Sequence, residues 1–385
     1  MLAGAAAGAA AQDSAHAPRT RPGMVKYIGS KRVLAPAIRA LAAALPVRTA
    51  CDLFAGTTRV GQALREAGIQ VQSNDTATYS EALGHAYIAA SPADRARLPE
   101  LLAHLRALPP VRGYVTETFG ERSRFLHPDN GMRIDAIRDG IDRLDLSPAE
   151  RGLLLTSLLE AADRVDSTCG LQMAYVKQWA PRALQPLDLR EPRAVDGPPG
   201  SVTRLDANAL APALAGTDLA YLDPPYNQHS YFSNYHVWET LVRWDAPETY
   251  GIACKRVDCQ TTKSPYNSRR TAWAALAGLV EALPSPWIVL SFSDEGFHDA
   301  GLLRALLEEK GHVRTLEVDF PRYIGARIGI HNGQGEKVGR VGRLRNRELL
   351  FACGPDEAAL ERAVTAAAEV VAGGAPAAAA LATQR

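Results

Sequence analysis

An unusual tetrapeptide, Asp223-Pro224-Pro225-Tyr226, follows directly after the apolar run 219–222. Such a run predicts a buried strand, and open α/β sheets bind ligands beyond the carboxyl ends of their strands. Pro224 lacks an N–H and has a fixed φ, so we expect a rigid extended turn with free carbonyl acceptors. The Asp223 carboxylate and the Pro224 carbonyl could then accept both hydrogens of an exocyclic amine and expose its lone pair, with Tyr226 stacked on the ring. Four residues alone also fit an ordinary surface turn.

A second candidate site lies in 52–61 (DLFAGTTRVG), where a strand runs into a glycine turn and then a helix. Gly56 lets the backbone approach a ligand, and Gly61 permits tight packing of the helix on the strand. Asp75 ends the next strand about twenty residues further on, where a carboxylate can bind ribose hydroxyls. The spacing is not Gly-x-Gly-x-x-Gly and shows no pyrophosphate grip, so a nucleoside cofactor without phosphates fits better than NAD. The alternative is an ordinary strand–helix turn.

Two more segments are candidates for cofactor contacts. Tyr27 and Lys31 (KYIGSK, 26–31) precede the first predicted helix, where the ring could pack on a cofactor and the ammonium could neutralise its carboxylate. Asp206 follows a predicted strand and could bind the amino group of an adenine ring. The alternatives are a solvated basic turn at 26–31 and a helix N-cap at Asp206.

The elements that must position these residues alternate between short apolar runs and helical segments, the pattern of a mostly parallel α/β sheet. Strands are predicted at 49–54, 69–73, 201–205, 218–222, 287–293, 313–319 and 347–353. Helices are predicted at 33–45, from the glycine turn through 67, at 132–145 and at 148–165. Residues 357–372 have helical periodicity, but we expect them to dock only weakly.

Residues 24–90 and 200–355 therefore form the predicted core, and the Arg-rich, mostly helical section 91–199 interrupts it. Such an insertion is either a cover for the sheet or a separate lobe, and we expect a target-recognition lobe. The Ala-rich ends, 1–22 and 373–385, carry almost nothing that could pack, so we expect disordered tails there.

The overall charge selects no partner, because 43 Lys and Arg residues face 42 Asp and Glu residues. Nucleic-acid binding would have to come from local clusters of basic residues. The candidates for phosphate contacts are Lys177, Arg182, Lys255, Arg256, Lys263, Arg269, Arg270 and Lys337. For each one alone, a solvated face is the more common role.

The composition argues against a membrane protein, an exported protein and a metal-binding protein. No apolar run reaches the roughly 18 residues that span a bilayer, and the first 22 residues lack the Leu-rich core of a signal peptide. The five cysteines form no CxxC pair, so we expect no metal site and a reduced cytoplasmic compartment. We expect no membrane contact and a monomer.

Together these segments resemble the D12 class of adenine-specific DNA methyltransferases, the group of Dam-like enzymes. KYIGSK is similar to the family's N-terminal cofactor motif, DLFAGTTRVG to its first Rossmann motif, SNDTATYS (73–80) to the acidic end of its second strand, and DPPY is its catalytic tetrapeptide. The resemblance covers about residues 24–354. One departure is at Thr57 and Thr58, where many relatives carry Ser or Gly.

The resemblance implies a Rossmann-like α/β sheet with a helical insertion, and S-adenosylmethionine as cofactor. It implies transfer of a methyl group to adenine N6 in double-stranded DNA, by base flipping and direct in-line displacement without a metal. The catalytic residues would be Asp223, Pro224, Pro225 and Tyr226, and the cofactor contacts Tyr27, Lys31, Asp52, Phe54, Gly56, Gly61, Asp75, Asp206 and Asp223. A cognate restriction endonuclease is a possible partner. The alternatives are adenine methylation in RNA and a non-catalytic DNA-binding module that keeps the fold.

Overall fold

The computed structural model describes residues 25–175, 177–321 and 345–373. The described strands are β1 (Thr49–Asp52), β2 (Gln70–Asn74), β3 (Ser201–Thr203), β4 (Leu219–Leu222), β5 (Thr249–Tyr250), β6 (Lys255–Arg256), β7 (Trp287–Ser293), β8 (His312–Pro321) and β9 (Arg345–Gly354). The described α-helices are α1 (Ala35–Ala43), α2 (Arg59–Glu66), α3 (Thr78–Gly84), α4 (Leu98–Ala107), α5 (Pro128–Asp142), α6 (Pro148–Arg164), α7 (Ala207–Leu210), α8 (Tyr231–Asn234), α9 (His236–Arg243), α10 (Ala272–Ala282), α11 (Ala300–Glu308) and α12 (Glu357–Gly373).

Seven of these strands form one sheet in the order β3-β2-β1-β4-β7-β9-β8. The first five are parallel, and β9 runs antiparallel between β7 and β8. This is a Rossmann-like α/β sheet, as the resemblance implied. Each predicted strand forms, and its ends lie within two residues of those predicted. The sequence missed the small hairpin β5–β6, because two-residue strands carry no periodic signal.

The central strands are buried on both faces, as in parallel sheets covered by helices on each side. Every residue of β4 and β7 is buried. On one face Tyr221 of β4 packs in the same cluster as α1 and α12, and on the other face Leu222 packs with α7, α10 and α11. The alternation of β4 residues between the two clusters fixes how β4 ends, and so which way the residue after it can point.

The insertion shares one hydrophobic core with the sheet. Leu154 and Leu158 of α6 belong to the same cluster as Leu83 of α3 and Ile88, which follows α3 in a π-helical turn, His85–Ala89. The helices of the insertion therefore cover the sheet's own helices, which is the alternative that we set aside in favour of a separate lobe. Its role in target recognition stays a prediction.

Helix α12 is longer and better packed than expected. Ala359, Leu360, Ala363 and Ala367 are buried in the cluster that includes α1. Small alanine side chains let the two helices approach closely, and our expectation of weak docking was wrong. The predicted tails lie outside the described residues, apart from Gly373 itself. In the described part of the chain, no helix has the length and apolar character that crossing a membrane requires.

Candidate active site

The carboxyl ends of β1 and β4 lie where the strand order changes direction, with β2 and β3 on one side and β7 on the other. Adjacent loops leave in opposite directions at such a point, and a crevice opens between them. A cavity of about 410 Å³ lies here. Of the predicted site residues, its lining contains Tyr27, Lys31, Asp52, Phe54, Gly56, Asp75, Asp206, Asp223, Pro225 and Lys263. Gly61, Pro224 and Tyr226 lie beside the cavity rather than in its lining.

The turn after β1 is held by the carboxylate at the end of β2. Asp75 accepts hydrogen bonds from the Gly56 N–H (2.8 Å) and the Ala77 N–H (2.9 Å). Gly56 has φ +50°, and a Cβ there would lie 3.3 Å from the Tyr27 ring. Thr58 has φ +58°, a left-handed conformation that is costly for a β-branched residue. The departure from the family pattern at Thr58 therefore carries local backbone strain.

Asp52, the last residue of β1, has an unsatisfied carboxylate. Its Oδ2 accepts from the Gly61 N–H at 3.2 Å, whereas its Oδ1 is buried without a hydrogen-bond partner. Burial, followed by the charges of Asp223 and Asp75, raises the pKa of Asp52 to about 8. Buried polar atoms are normally paired, so an unpaired Oδ1 suggests that its partner is a ligand of the cavity.

Two aromatic rings and Asp206 form another wall of the cavity. Phe54 meets Tyr266 edge to face with ring centroids 5.2 Å apart, and the Tyr266 hydroxyl donates to Asn208 Oδ1 at 2.6 Å. Asp206 Oδ1 caps α7 by accepting from the Asn208 and Ala209 N–H groups. Asp206 is thus both an N-cap and a cavity residue. The Tyr266 side chain is buried, with 3% of it exposed.

Tyr27 belongs to a stack of aromatic rings that anchors the segment before α1. Its ring stacks on Tyr235 at 4.5 Å and on Tyr231 at 5.4 Å, and its hydroxyl lies 3.1 Å from that of Tyr79. The Tyr235 hydroxyl also accepts from the Ile28 N–H at 2.6 Å. Helices α8 and α9, which follow the tetrapeptide, therefore place Tyr27 beside the cavity.

The Asp223 carboxylate enters the cavity from the end of β4. Its Oδ1 is 3.1 Å from Lys31 Nζ. Burial raises the pKa of Asp223 to about 6, against the lowering effect of the Lys31 ammonium. Tyr226 packs on Phe292, and Lys31 Nζ lies 5.8 Å from the centroid of the Tyr226 ring. No described residue donates a hydrogen bond to the Pro224 carbonyl, so this carbonyl is available as an acceptor, whereas one oxygen of Asp223 already faces Lys31.

Sequence reasoning missed Arg243, which lines the cavity, and Glu348 of β9. Glu348 Oε2 lies 3.3 Å from Lys31 Nζ, so Lys31 binds two protein carboxylates. We had expected Lys31 to neutralise a cofactor carboxylate. The available signal was an acidic residue near the start of a predicted strand, 347–353, that is apolar from residue 349 onward, but nothing in the sequence indicates its partner.

The comparison with known proteins decides the family. Residues 27–272 match D12 class N6 adenine-specific DNA methyltransferase. The chain is also 30% identical over 313 residues to Type II methyltransferase M.NlaIII of Neisseria lactamica, an alignment that covers 78% of this chain and 92% of the relative. The chain belongs to the D12 class of N6 adenine-specific DNA methyltransferases. The prediction made from the motifs is confirmed.

Two other relatives of this methyltransferase differ in how much of their own length the alignment covers. It is 29% identical over 341 residues to Modification methylase LlaI of Lactococcus lactis subsp. lactis, covering 82% of this chain and 54% of that protein. It is 29% identical over 283 residues to Type II methyltransferase M.CviAII of Paramecium bursaria Chlorella virus 1, covering 71% and 83%. The chain therefore spans most of some relatives and about half of others.

The basic residues predicted to hold DNA occupy different surroundings in this methyltransferase. Lys177, Lys263, Arg269 and Arg270 are exposed, and Lys255 is half-buried. Arg182 is partly exposed but ion-paired with Asp166. Lys337 lies outside the described residues. For these seven positions DNA contact stays a prediction.

The structure contradicts the prediction that Arg256 contacts a DNA phosphate. Its side chain is 1% exposed and binds Asp245 through two hydrogen bonds of 2.7 Å and Asp258 through bonds of 3.0 and 2.8 Å. A DNA phosphate could reach this guanidinium only by displacing its carboxylate partners. The sequence showed a basic cluster, but it did not show that two nearby aspartates fold onto this one arginine.

Among the described residues, no group of three or more His, Cys, Asp or Glu side chains is arranged to hold a metal ion. None of the five cysteines forms a disulfide, and four of them are buried.

Proposed function

We propose that this methyltransferase takes its methyl group from S-adenosylmethionine and transfers it to N6 of an adenine flipped out of double-stranded DNA. When bound, S-adenosylmethionine supplies a methyl carbon activated by the neighbouring sulfonium. The protein's part is to bind the two reactants side by side and to prepare the amine for direct in-line displacement.

The residues of the cavity fit this cofactor. Its volume of about 410 Å³ lies in the range of small-molecule sites. The unpartnered Oδ1 of Asp52 suits a protonated amino group, which is what the methionine end carries. Phe54 and Tyr266 offer apolar ring surface for an adenine. Asp75 and Asp206 place carboxylates at the rim, where they suit ribose hydroxyls and an exocyclic amino group.

The proposed catalytic group is Asp223 together with the Pro224 carbonyl. An exocyclic amine is a weak nucleophile because its lone pair is delocalised into the ring. Two acceptors that bind its two hydrogens favour a tetrahedral nitrogen and expose that lone pair. The observation that carries the proposal is the Asp223 carboxylate at the end of β4, inside the cavity that Asp52 and Asp75 also line.

Adenine N6 is not accessible to this buried carboxylate while the base is stacked in a duplex, so the base must leave the helix at a cost of a few kcal/mol. Stacking on Tyr226 would recover about 1–3 kcal/mol. The exposed basic residues and the insertion 91–199 are the proposed sources of duplex contact and target recognition. Since the relatives are named type II and modification methylases, we propose a restriction–modification setting with a cognate endonuclease, and a cytoplasmic monomer.

The test replaces the catalytic carboxylate and a matched neighbour. Asp223→Ala should lower transfer of tritiated methyl groups to DNA by at least about 100- to 1,000-fold, while DNA affinity and its steep salt dependence persist. Asp294→Ala is the control, because Asp294 follows β7 as Asp223 follows β4 but does not line the cavity. Turnover by Asp223→Ala at the rate of the control would disprove the proposed role of Asp223.

Two further measurements separate the alternatives. S-adenosylmethionine at about 100 times its dissociation constant should stabilise the protein by roughly 2.7 kcal/mol, whereas a non-catalytic module should gain little. Methylated sites found by sequencing DNA from cells that express the protein give the duplex substrate. An RNA of the same sequence should then be a poor substrate, and preferential methylation of that RNA would favour the RNA alternative.

A further inference from the structure

Lys31 lies between two carboxylates from different parts of the fold. Its Nζ is 3.1 Å from Asp223 Oδ1 and 3.3 Å from Glu348 Oε2, and its side chain is 6% exposed. Asp223 follows β4, whereas Glu348 belongs to β9, two strands away in the sheet. A buried ammonium in this position is held from two sides, and each carboxylate receives only part of its charge.

We propose that Glu348 is a positioning residue for methyl transfer, which holds Lys31 so that the ammonium does not fully occupy the Asp223 carboxylate. Asp223 can then accept a hydrogen from the substrate amine while Lys31 keeps its other oxygen in place. This inference rests on the proposed role of Asp223 as the amine acceptor.

The sheet makes Glu348 the fixed member of this group. Glu348 is paired with Ser293 of β7 on one side and with Val318 of β8 on the other. Lys31, in contrast, lies in a turn before α1, where its carbonyl accepts from the Ala35 N–H. A free lysine side chain loses up to about 2 kcal/mol of rotamer entropy when it is ordered, so one partner alone holds it less well than two.

Titratable groups on several elements face Asp223. They are Lys31 before α1, Asp52 of β1, Tyr221 of β4, Tyr226 after β4, Tyr231 of α8 and Glu348 of β9. After burial, the Lys31 ammonium lowers the pKa of Asp223 and the Glu348 carboxylate raises it. Burial lowers the pKa of Lys31, but Asp223 and Glu348 outweigh it and keep the ammonium charged.

These opposing effects give Glu348 a distinctive pH signature. Removing its charge lowers the pKa of Asp223 in two ways, because a repulsive neighbour is lost and Lys31 closes on Asp223. The variant should therefore keep Asp223 ionised at lower pH and yet transfer methyl groups more slowly. A residue that only stabilised the fold would slow the reaction without moving its pH dependence.

The experiment compares Glu348→Gln with Glu317→Gln, a carboxylate on neighbouring β8 that pairs with the exposed Arg347. Rates are measured with the full chain, S-adenosylmethionine and substrate DNA, from about pH 5 to pH 8. For Glu348→Gln we expect kcat to fall by up to about 100-fold, and the acid limb of kcat/KM to move to lower pH. Glu317→Gln should match the wild type in both.

Glu348→Asp provides the second variant, since it keeps the charge but shortens the side chain. It should reduce kcat and move the acid limb to lower pH by less than Glu348→Gln does, because the repulsive charge is kept while Lys31 is held less well. A wild-type kcat in Glu348→Asp overturns the proposal, and so does a slower Glu348→Gln with an unmoved acid limb. Stabilisation by S-adenosylmethionine shows which variants are folded. If Glu348→Gln does not fold, the result for Glu348→Asp decides the test. If Asp223→Ala remains active, the proposed function fails; if Asp223→Ala is inactive and both Glu348 variants behave as wild type, this inference alone fails.

Discussion

The carboxylates of the cavity and those around Arg256 differ in how their charge is balanced. Asp245 and Asp258 bind Arg256, and each also pairs with Arg243. Although burial opposes it, hydrogen bonds from Arg256 lower the pKa of both carboxyls. At the cavity, burial raises the pKa of Asp52 to about 8 and that of Asp223 to about 6.

The difference separates charges that are paired within the protein from charges that are available to a ligand. The Arg256 cluster contains its own counter-charges and needs nothing from outside. The lining of the cavity contains four carboxyl groups and four cationic side chains, yet burial still raises the pKa of Asp52 and of Asp223, and Asp52 Oδ1 is buried without a hydrogen-bond partner. A folded protein tolerates an unpartnered carboxyl oxygen and raised carboxyl pKa values where a ligand supplies the missing donors, which is one reason why perturbed pKa values cluster at functional sites. Three predictions test this distinction.

The largest effect is expected from Arg256→Met, which keeps an apolar stem but leaves Asp245 and Asp258 with Arg243 alone. We expect a loss of about 3 kcal/mol in the free energy of unfolding, measured by urea denaturation, because a buried ion-pair network loses its central cation. The salt dependence of DNA affinity should not change.

Lys255→Met is the control for this change, since Lys255 is the half-buried neighbour of Arg256 in β6 and should cost little stability. If Arg256→Met stayed as stable as this control but bound DNA with a shallower salt dependence, Arg256 would be a phosphate contact and the comparison would fail.

Asp52→Asn should increase the free energy of unfolding, whereas Arg256→Met should decrease it. A carboxyl whose pKa is raised on folding contributes stability below its unfolded value of about 4, and this contribution is lost as pH rises through the folded value. Since that value is about 8 for Asp52, the ligand-free variant should be more stable than wild type by about 1–3 kcal/mol at and above that pH. It should lose most of its stabilisation by S-adenosylmethionine.

Asp135→Asn is the matched contrast. The Asp135 carboxylate accepts from the Gly113, Val115 and Thr116 N–H groups and the Thr116 hydroxyl, so an amide N–H₂ there would face a donor. We expect this variant to be destabilised. Destabilisation of both variants in thermal melts would mean that Asp52 is a structural carboxylate like Asp135.

The smallest effect concerns the pH dependence of activity. The amine acceptor must be ionised, and burial raises the pKa of Asp223 to about 6. The value of kcat/KM should therefore rise through that pH and fall about tenfold for each unit below it. Stabilisation by S-adenosylmethionine, measured at both ends of the range, controls for loss of binding. A flat profile through this range would remove the acid–base argument for Asp223.

The sequence alone determined the sheet and the position of the cavity. Apolar runs predict strands because burial acts on consecutive residues, and the carboxyl ends of parallel strands must meet at one edge. It follows that Asp52, Asp75 and Asp223, each within two residues of the end of a predicted strand, would come together. The segment 26–31, which contains Tyr27, and the turn at Gly56 could be assigned to the same site because each lies beside a predicted strand or helix.

Only the tertiary structure decided which charges are paired. Glu348 lies 317 positions from Lys31 in the chain, and no periodic pattern connects them. Arg256 lies among other basic residues in the sequence, yet the fold buries it between two aspartates. The insertion, whose helices were predictable, shares the sheet's core because of which faces meet. Periodicity reports whether a residue is buried, but the energy of a buried charge depends on neighbours that only the packed chain supplies.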